Sequence, residues 1–259
     1  MYSKVLFVGL GGSGGKTLRF IKREMNRWLD QHGYEEGIPA GWQFLWIDTP
    51  TQPDGGDIDA IADRLEDTEY LGLVNQGASL QNFINALDVQ EDATNELRTW
   101  RLNPATIPVS VDKGAGQFRA IGQSIALASV RKMKEAFDKS LASINADGDS
   151  ELSALYTKIH GAPPAGFQNQ TNIIIVSSLS GGTGAGLLNT VSDILRVHTD
   201  SNAGDNIFGF LYTPEVFSTL GDAAIGGVQA NSLAAVSELY FPRLRLHNRL
   251  LSALWHQPW

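Results

Sequence analysis

The sequence contains no cysteine, and this absence excludes several kinds of chemistry. Without thiols the chain forms no disulfides, offers no thiolate metal ligands and has no cysteine nucleophile. Histidine is also scarce, and none of the five histidines is paired with another at a metal-ligand spacing (His32, His160, His198, His247 and His256). We therefore expect no metal centre built from protein side chains.

Basic residues are fewer than acidic ones. The chain has 20 Lys and Arg against 28 Asp and Glu, which gives a formal net charge of −8. A protein that neutralises the phosphate backbone of a nucleic acid needs a basic face, so this balance argues against a nucleic-acid partner. It is still compatible with a small phosphate ligand, because backbone N–H groups hold phosphate without any lysine.

Long apolar runs are missing as well. The first apolar run, residues 5–8, meets glycine at Gly9, which is too early for the core of a signal peptide. No stretch approaches the ~20 apolar residues that a membrane-spanning helix needs. We therefore expect a cytoplasmic protein without a membrane span.

The sequence does contain a repeated succession of strand, glycine turn and helix. Apolar runs predict buried parallel strands at residues 5–8, 42–47, 172–176 and 207–212, with a further strand at 107–111. Amphipathic spacing predicts helices at residues 17–29, 58–65, 80–87, 118–141, 187–197 and 228–250, and a mostly polar loop at 145–172. This order predicts an α/β fold with three layers, a Rossmann-like and mostly parallel sheet with helices on both faces.

The first glycine loop, residues 9–15, is compatible with three motifs. Its glycines match the G-x-G-x-x-G dinucleotide fingerprint, although Asp48, at the end of the next strand, lies farther away than the usual ~20 residues. The loop also resembles a P-loop, but G-x-x-x-x-G-K-T would require glycine at Leu10. Ser13 occupies the serine position of G-x-S-x-G, but no acid and histidine follow at strand ends, as a serine hydrolase would need. By itself, this loop predicts only a phosphate site.

A second glycine loop, residues 180–186, follows the strand predicted at 172–176, and it contains Thr183 as a hydroxyl donor. Glycines between a strand and a helix let a ligand approach the backbone, and the unpaired N–H groups and helix dipole favour negative charge. An NAD(P)-dependent oxidoreductase needs only one such loop. Two loops favour a nucleotide with its phosphates between them, and the oxidoreductase is the alternative.

Residues 181–186 read Gly-Gly-Thr-Gly-Ala-Gly and match at every position the G-G-T-G-[SAT]-G signature of the tubulin and FtsZ superfamily of GTPases. The chain resembles that superfamily in the order of its other elements too. A glycine loop follows strand one, strand two ends in Asp48 and Thr49, which the resemblance implies are part of the GTP site, and a G-A-G segment follows at Gly114, Ala115 and Gly116. One departure is Gln123, which stands where FtsZ often has an arginine.

The resemblance implies GTP or GDP as the ligand, with Mg²⁺ held mainly by phosphate oxygens and water. It implies that Gly11, Gly12 and Ser13 contact the α- and β-phosphates, and that the G-A-G loop lies at the γ-phosphate. It places the β-phosphate region at the signature loop, which provides Gly181, Gly182, Thr183, Gly184 and Ala185. Glu215 would bind the ribose, and Asn231 would read the guanine edge, since an amide both donates and accepts hydrogen bonds.

The resemblance covers only the N-terminal half of the family. We expect a nucleotide-binding domain at residues 1–226 and a central-helix segment at 227–259, with the family's second domain absent from this polypeptide. Acidic residues beyond the family's central helix activate water on the next subunit's nucleotide, but no Asp or Glu follows Glu238 here. The resemblance therefore implies no catalytic residue in this chain, and as partner either a second domain or another copy associated head to tail.

Overall fold

The computed structural model describes residues 2–53, 56–88, 102–107, 110–166, 170–198, 206–218 and 222–240. Within these residues, five parallel strands form one sheet in the order β3-β2-β1-β4-β5. The strands are β1 (Lys4–Leu10), β2 (Trp42–Asp48), β3 (Tyr70–Gly72), β4 (Thr171–Ser178) and β5 (Ile207–Tyr212). The helices are α1 (Gly11–Gln31), α2 (Leu80–Asp88), α3 (Arg119–Ala128), α4 (Val130–His160), α5 (Gly182–His198) and α6 (Asp222–Tyr240). The predicted α/β fold is confirmed.

The sheet is the middle of three layers because alternate side chains of its strands enter two different cores. On β1, Leu6, Val8 and Leu10 are fully buried and belong to the larger core, which also contains residues of α3, α4 and α5. On the other face, Phe7 packs into a smaller core around Leu18 of α1. Helices therefore cover both faces, and the crossover helices α1 and α5 lie on opposite sides of the sheet.

Both glycine loops are shorter than predicted, because the helices begin earlier than their apolar patterns do. Helix α1 begins at Gly11 rather than at residue 17, and α5 begins at Gly182 rather than at residue 187. Glycine has low helix propensity, so the sequence favours a loop at these positions. Packing nevertheless requires glycine inside the helix, since a Cβ at Gly15 would lie 1.9 Å from the ring of Trp46.

The helix predicted at 118–141 is in fact two helices, and the second extends through much of the predicted loop at 145–172. The helix is interrupted at Ser129, between α3 and α4, and α4 then continues to His160. Gly161, with φ of 74°, ends it by donating its N–H to Thr157 O at 2.8 Å. The buried side of α4 includes Ser140 and Gly148, so the apolar pattern that identifies a helix is interrupted.

Two further predictions are wrong in their described residues. Instead of the strand predicted at 107–111, Ile107 follows a 3₁₀ turn and Val111 begins another, consistent with a proline at position 108 that has no N–H for a ladder. The helix predicted at 58–65 is a turn-rich strap, and Arg19 of α1 binds the backbone oxygen of Asp63 at 2.9 Å. The predicted helix at 228–250 is present but begins at Asp222, and the structure describes it as far as Tyr240.

One helix and three strands are confirmed to within two residues at each end: the helix predicted at 80–87 and the strands predicted at 42–47, 172–176 and 207–212. Strand β3 was not predicted, because its three residues give no periodic pattern. In the ranges that the structure describes, no helix combines the length and the apolar character that crossing a bilayer requires.

Candidate functional site

The two predicted glycine loops lie where the winding of the sheet reverses direction. From β1 the chain passes through α1 to β2, and from β4 it passes through α5 to β5, on the other side of the sheet order. Strands β1 and β4 are direct neighbours, with Leu10 paired to Ser177 at their carboxyl ends. In open α/β sheets this reversal creates a crevice outside the carboxyl ends of the strands, which is the usual place for a ligand.

The two loops touch each other across this crevice. Gly11 has a φ of +67°, and a Cβ placed on it would lie 2.9 Å from the backbone nitrogen of Gly184 and 3.3 Å from Cβ of Thr183. The first turns of α1 and α5 therefore meet at Gly11. Because each helix has unpaired N–H groups and positive dipole charge at its start, the two N-termini favour an anion at the same place.

The start of α1 has no side chain that competes for its N–H groups. Leu10 is the N-cap residue and makes no side-chain capping bond, and the first turn carries no acidic residue. Gly12 and Ser13 are partly exposed, while Gly14 and Gly15 are buried. The exposed part of this turn is therefore Gly12 and Ser13, two of the residues that the sequence predicts at the phosphates.

Most glycines of the second loop are required by packing. A Cβ on Gly182 would lie 2.6 Å from Gly116 O, and a Cβ on Gly186 would lie 2.7 Å from Arg119 O. On the facing helix α3, a Cβ on Gly122 would lie 2.2 Å from Gly182 O. These contacts bring the backbones of α3 and α5 together, so the motif has a structural role whatever it binds.

Three loop glycines face open space instead. A Cβ on Gly12 or Gly181 would meet no atom within 4 Å, and one on Gly114 would meet only Gly116 N, at 4.0 Å. Each belongs to a different one of the three predicted loops. Packing does not explain a glycine at Gly12 or Gly181, and neither has a positive φ. A glycine at these positions leaves room for a ligand to approach the backbone closely.

The third loop, residues 114–118, is joined directly to the second. Gly182 donates its N–H to Gly116 O at 2.9 Å, and Ala115 is fully buried. Gly114 and Gly116 have φ values of 126° and 55°, in the region that favours glycine. The G-A-G segment therefore lies beside the signature loop, as the resemblance implied.

Asp48 and Thr49 lie at the end of β2 and are almost fully buried. An Asp48 carboxylate oxygen accepts the N–H of Thr49 at 2.7 Å, and the hydroxyls of Thr49 and Thr183 lie 3.1 Å apart. These residues tie the end of β2 to the second loop. The acid that binds the ribose in a dinucleotide site has to reach its ligand. Asp48 is only 4% exposed, which argues against that role for it.

Asn231, in the third turn of α6, binds two loops at once. Its Nδ2 donates to Gln117 O at 2.7 Å and to Ser180 O at 2.9 Å. Since both acceptors are carbonyl oxygens, they fix which end of the amide is the nitrogen. Asn231 thus holds the second and third loops together, and the atom these bonds leave over is the amide oxygen, an acceptor.

Glu215 is exposed in the 3₁₀ turn Pro214–Phe217 that follows β5. A hydrogen bond from the Thr213 side chain, followed by one from its own backbone, lowers the pKa of this carboxyl below its usual value. Because β5 is the neighbour of β4, Glu215 lies one strand away from the crevice between β1 and β4. The carboxylate is therefore charged at neutral pH.

Several polar residues of this region escaped the sequence reasoning. The Ser180 hydroxyl lies 2.8 Å from that of Ser232, and Ser177 Oγ and Gln117 Oε1 are buried without a hydrogen-bond partner. Arg119, at the start of α3, pairs with Glu238 of α6. Single serines and an ion pair 119 residues apart follow no motif, so only the folded chain brings them together. Within the described part of the chain, no three His, Asp or Glu side chains gather as a metal site.

A family model described as "Tubulin like" matches residues 6–249, almost the whole chain. No curated protein matches the chain. Among solved structures, the chain is similar to one described as "CetZ2 from Haloferax volcanii - GTPgS bound protofilament", with 12% sequence identity and a TM-score of 0.37. That similarity covers 98% of this chain and 59% of the other, so the chain spans about three fifths of the length of this structure.

Proposed function

Because the chain belongs to the tubulin-like family, we propose that it binds a guanine nucleotide, GTP or GDP, in the crevice between β1 and β4. The observation that carries the proposal is the meeting of two helix N-termini at the point where the sheet reverses direction. Backbone N–H groups and helix dipoles supply the positive field there, which suits a phosphate chain on a protein with a net charge of −8.

The three open glycines support an assignment of the phosphates. The first loop, with Gly11, Gly12 and Ser13, contacts the α- and β-phosphates. The signature loop binds the β-phosphate region through the partly exposed backbone at Gly181 and through Thr183. The G-A-G loop from Gly114 lies at the γ-phosphate. Mg²⁺ is held mainly by phosphate oxygens and water, in keeping with its preference for oxygen ligands and for retaining several waters.

The base and the ribose lie toward α6 and β5. The amide oxygen of Asn231, an acceptor, is complementary to the N–H groups on the guanine edge. Its nitrogen already binds two loop carbonyls, so in this proposal Asn231 both reads the base and holds the loops. Glu215, charged and exposed beside the crevice, accepts from the ribose hydroxyls.

The nucleotide-binding unit in this proposal spans residues 1–226, and residues 227–259 form the central-helix segment. The exposed apolar side chains on the outer side of α6 are consistent with a partner that covers this helix. Leu233 is 71% exposed and Tyr240 is 79% exposed, whereas Val228 and Ala235 on the inner side are buried. A helix that is apolar on both sides is typical of a helix buried between two bodies. The partner is either a second domain or another copy of the chain, and hydrolysis requires an acidic group that it supplies.

Isothermal titration calorimetry tests the proposal. GTPγS and GDP should each bind one site per chain in the presence of Mg²⁺, and ATP should bind more weakly because its base edge has a different donor pattern. Absence of guanine-nucleotide heat at millimolar ligand contradicts the proposal. NADH fluorescence titration under the same conditions separates it from a dinucleotide site, and nucleotide-dependent light scattering reports assembly.

A further inference from the structure

The third loop, residues 114–118, contains one turn of its own, in which Phe118 donates its N–H to Ala115 O at 3.0 Å. It connects the 3₁₀ turn Val111–Lys113 to α3, and Phe118 caps α3 without a side-chain bond. The two carbonyls between Ala115 and Phe118 bind other elements: Gly116 O accepts the N–H of Gly182, and Gln117 O accepts the amide of Asn231. The position of the loop therefore depends on where α5 and α6 lie.

Arg119 follows this loop directly and makes a third connection to the same two helices. Its Nε donates to Ala185 O at 3.2 Å, in the first turn of α5. Its two terminal nitrogens donate to the two carboxylate oxygens of Glu238 on α6, one of them at 2.8 Å. The side chain is only 11% exposed, so the guanidinium is largely removed from water.

Glu238 is equally occupied. Besides the two bonds from Arg119, it accepts Nδ2 of Asn189 at 2.7 Å, which adds a second contact to α5. An exposed ion pair contributes little, but a forked guanidinium–carboxylate pair with extra hydrogen bonds is directional and stronger. Glu238 lies seven residues after Asn231, so both stand on the same side of α6.

From this geometry we infer that Arg119 is a positioning residue for the third loop: paired with Glu238 of α6 and bound to Ala185 O, it fixes the loop at the γ-phosphate. The inference rests on the proposed function for the identity of the ligand, but not for the coupling between α6 and the loop. Asn231 binds Gln117 O and Glu238 binds Arg119, so α6 contacts the chain on both sides of Phe118. A change in the position of α6 therefore moves the loop, and occupation of the loop holds α6 by the same free energy.

Hydrogen exchange of the nucleotide-free protein tests the coupling without any ligand. Glu238→Gln keeps the shape of the side chain but removes its charge, so amides of residues 114–118 should exchange about tenfold faster, as expected for losing a charge-assisted hydrogen bond. Arg119→Lys, which keeps the charge but loses the fork, should have a similar effect. Glu135→Gln is the matched control, because Glu135 pairs with Arg131 at 3.6 Å on the exposed side of α4. Unchanged exchange at 114–118, or an equal rise in all peptides, overturns the inference.

A second variant separates positioning from folding. The double substitution Arg119→Leu with Glu238→Leu leaves no unpaired charge, so it should unfold near the wild-type temperature yet still show faster exchange at 114–118. Wild-type exchange in this variant overturns the inference.

Nucleotide binding supplies the remaining readout. Glu238→Gln should weaken GTPγS binding about tenfold and GDP binding less than twofold, since only the triphosphate reaches the third loop; tenfold lies within the usual range of couplings between sites. Equal loss for both nucleotides contradicts positioning at the γ-phosphate. If the wild type binds neither nucleotide, the proposed function fails, and the exchange data alone decide whether Arg119 positions the loop.

Discussion

The substitution of two glycines by alanine separates ligand space from packing space at this site. Gly12 lies in the first turn of α1, its φ is not positive, and a Cβ there would meet no atom within 4 Å. Alanine in a helix is more stable than glycine by about 0.5–1 kcal/mol, so Gly12→Ala should leave stability unchanged or raise it by up to that amount. That corresponds to a rise in Tm of about 1–4 °C for a domain of this size.

The same methyl group stands where the proposal places the phosphates. Gly12→Ala should therefore weaken GTPγS and GDP binding by tenfold or more, which is about 1.4 kcal/mol per factor of ten. Gly122→Ala should instead lower the stability of the fold. Its Cβ would lie 2.2 Å from Gly182 O, so the backbones of α3 and α5 must separate. Such overpacking costs about 1–3 kcal/mol and should lower Tm by about 2–4 °C for each kcal/mol.

Thermal unfolding followed by circular dichroism, together with calorimetric titration on the same samples, measures both effects. The reasoning predicts opposite outcomes: a stable protein with weak binding for Gly12→Ala, and a less stable protein for Gly122→Ala. It is refuted if Gly12→Ala binds nucleotide as the wild type does, or if Gly12→Ala lowers Tm as much as Gly122→Ala does.

Three further predictions follow from other contacts. Asn231→Asp keeps an acceptor for the base edge but removes the donor to two loop carbonyls and places a negative charge beside them, so it should weaken GTP binding; calorimetry that finds GTP binding unchanged would show that these two bonds do not position the site. Arg19→Leu leaves the carbonyls of the strap at residues 56–69 without their guanidinium donor, which should cost about 2–4 kcal/mol in urea unfolding; a loss below 0.5 kcal/mol, the scale of ordinary surface changes, contradicts it. The pKa of Asp59 is lowered, mainly by the hydrogen bond from Arg64 and next by the one from Arg19. The ion pairs of Asp59 should therefore stabilise the strap fully at pH values above the ordinary carboxyl pKa of 3.8, and this stabilisation should be lost as the pH falls through the lower pKa of the folded state. Carboxyl NMR titration that gives Asp59 a pKa at or above 3.8 disagrees with this geometry.

The sheet was predictable because each of its main strands has a local apolar pattern in the sequence. Residues 173–176 are all apolar and β-branched, as is typical of a strand buried on both faces. The places of the glycine loops at strand ends follow from the same pattern. The glycine signature at 181–186 identifies the family, because few positions in a chain require so many glycines in succession.

The helix boundaries were not predictable, since they depend on partners distant in sequence. Gly14 and Gly15 stand in the first turns of a helix, where glycine is locally unfavourable, because Val176 O and the ring of Trp46 leave no room for a side chain. Helix α4 is longer than predicted because Gly148 packs on Gly41, a contact that interrupts the apolar pattern. In each case a tertiary contact decides what local propensity alone assigns differently.

The candidate site was predictable in its composition but not in its wiring. The three loops were located from their glycines, and they do come together. That Asn231 joins two of them through its amide nitrogen, and that Thr49 reaches Thr183, depends on the packing of α6 and β2. Sequence motifs specify residue types at fixed local spacings, whereas these bonds link residues 51 to 134 positions apart.

The central claim is that the nucleotide phosphates lie against the open glycines of three loops. Selective ¹⁵N-glycine labelling gives signals from up to 27 glycines, which Gly→Ala variants assign one by one. On titration with GTPγS and Mg²⁺, the largest shifts should occur at Gly12, Gly181 and Gly114, and GDP should shift the first two but not the third. No shift at these three glycines, or larger shifts at glycines far from the crevice such as Gly33 and Gly161, would contradict the account.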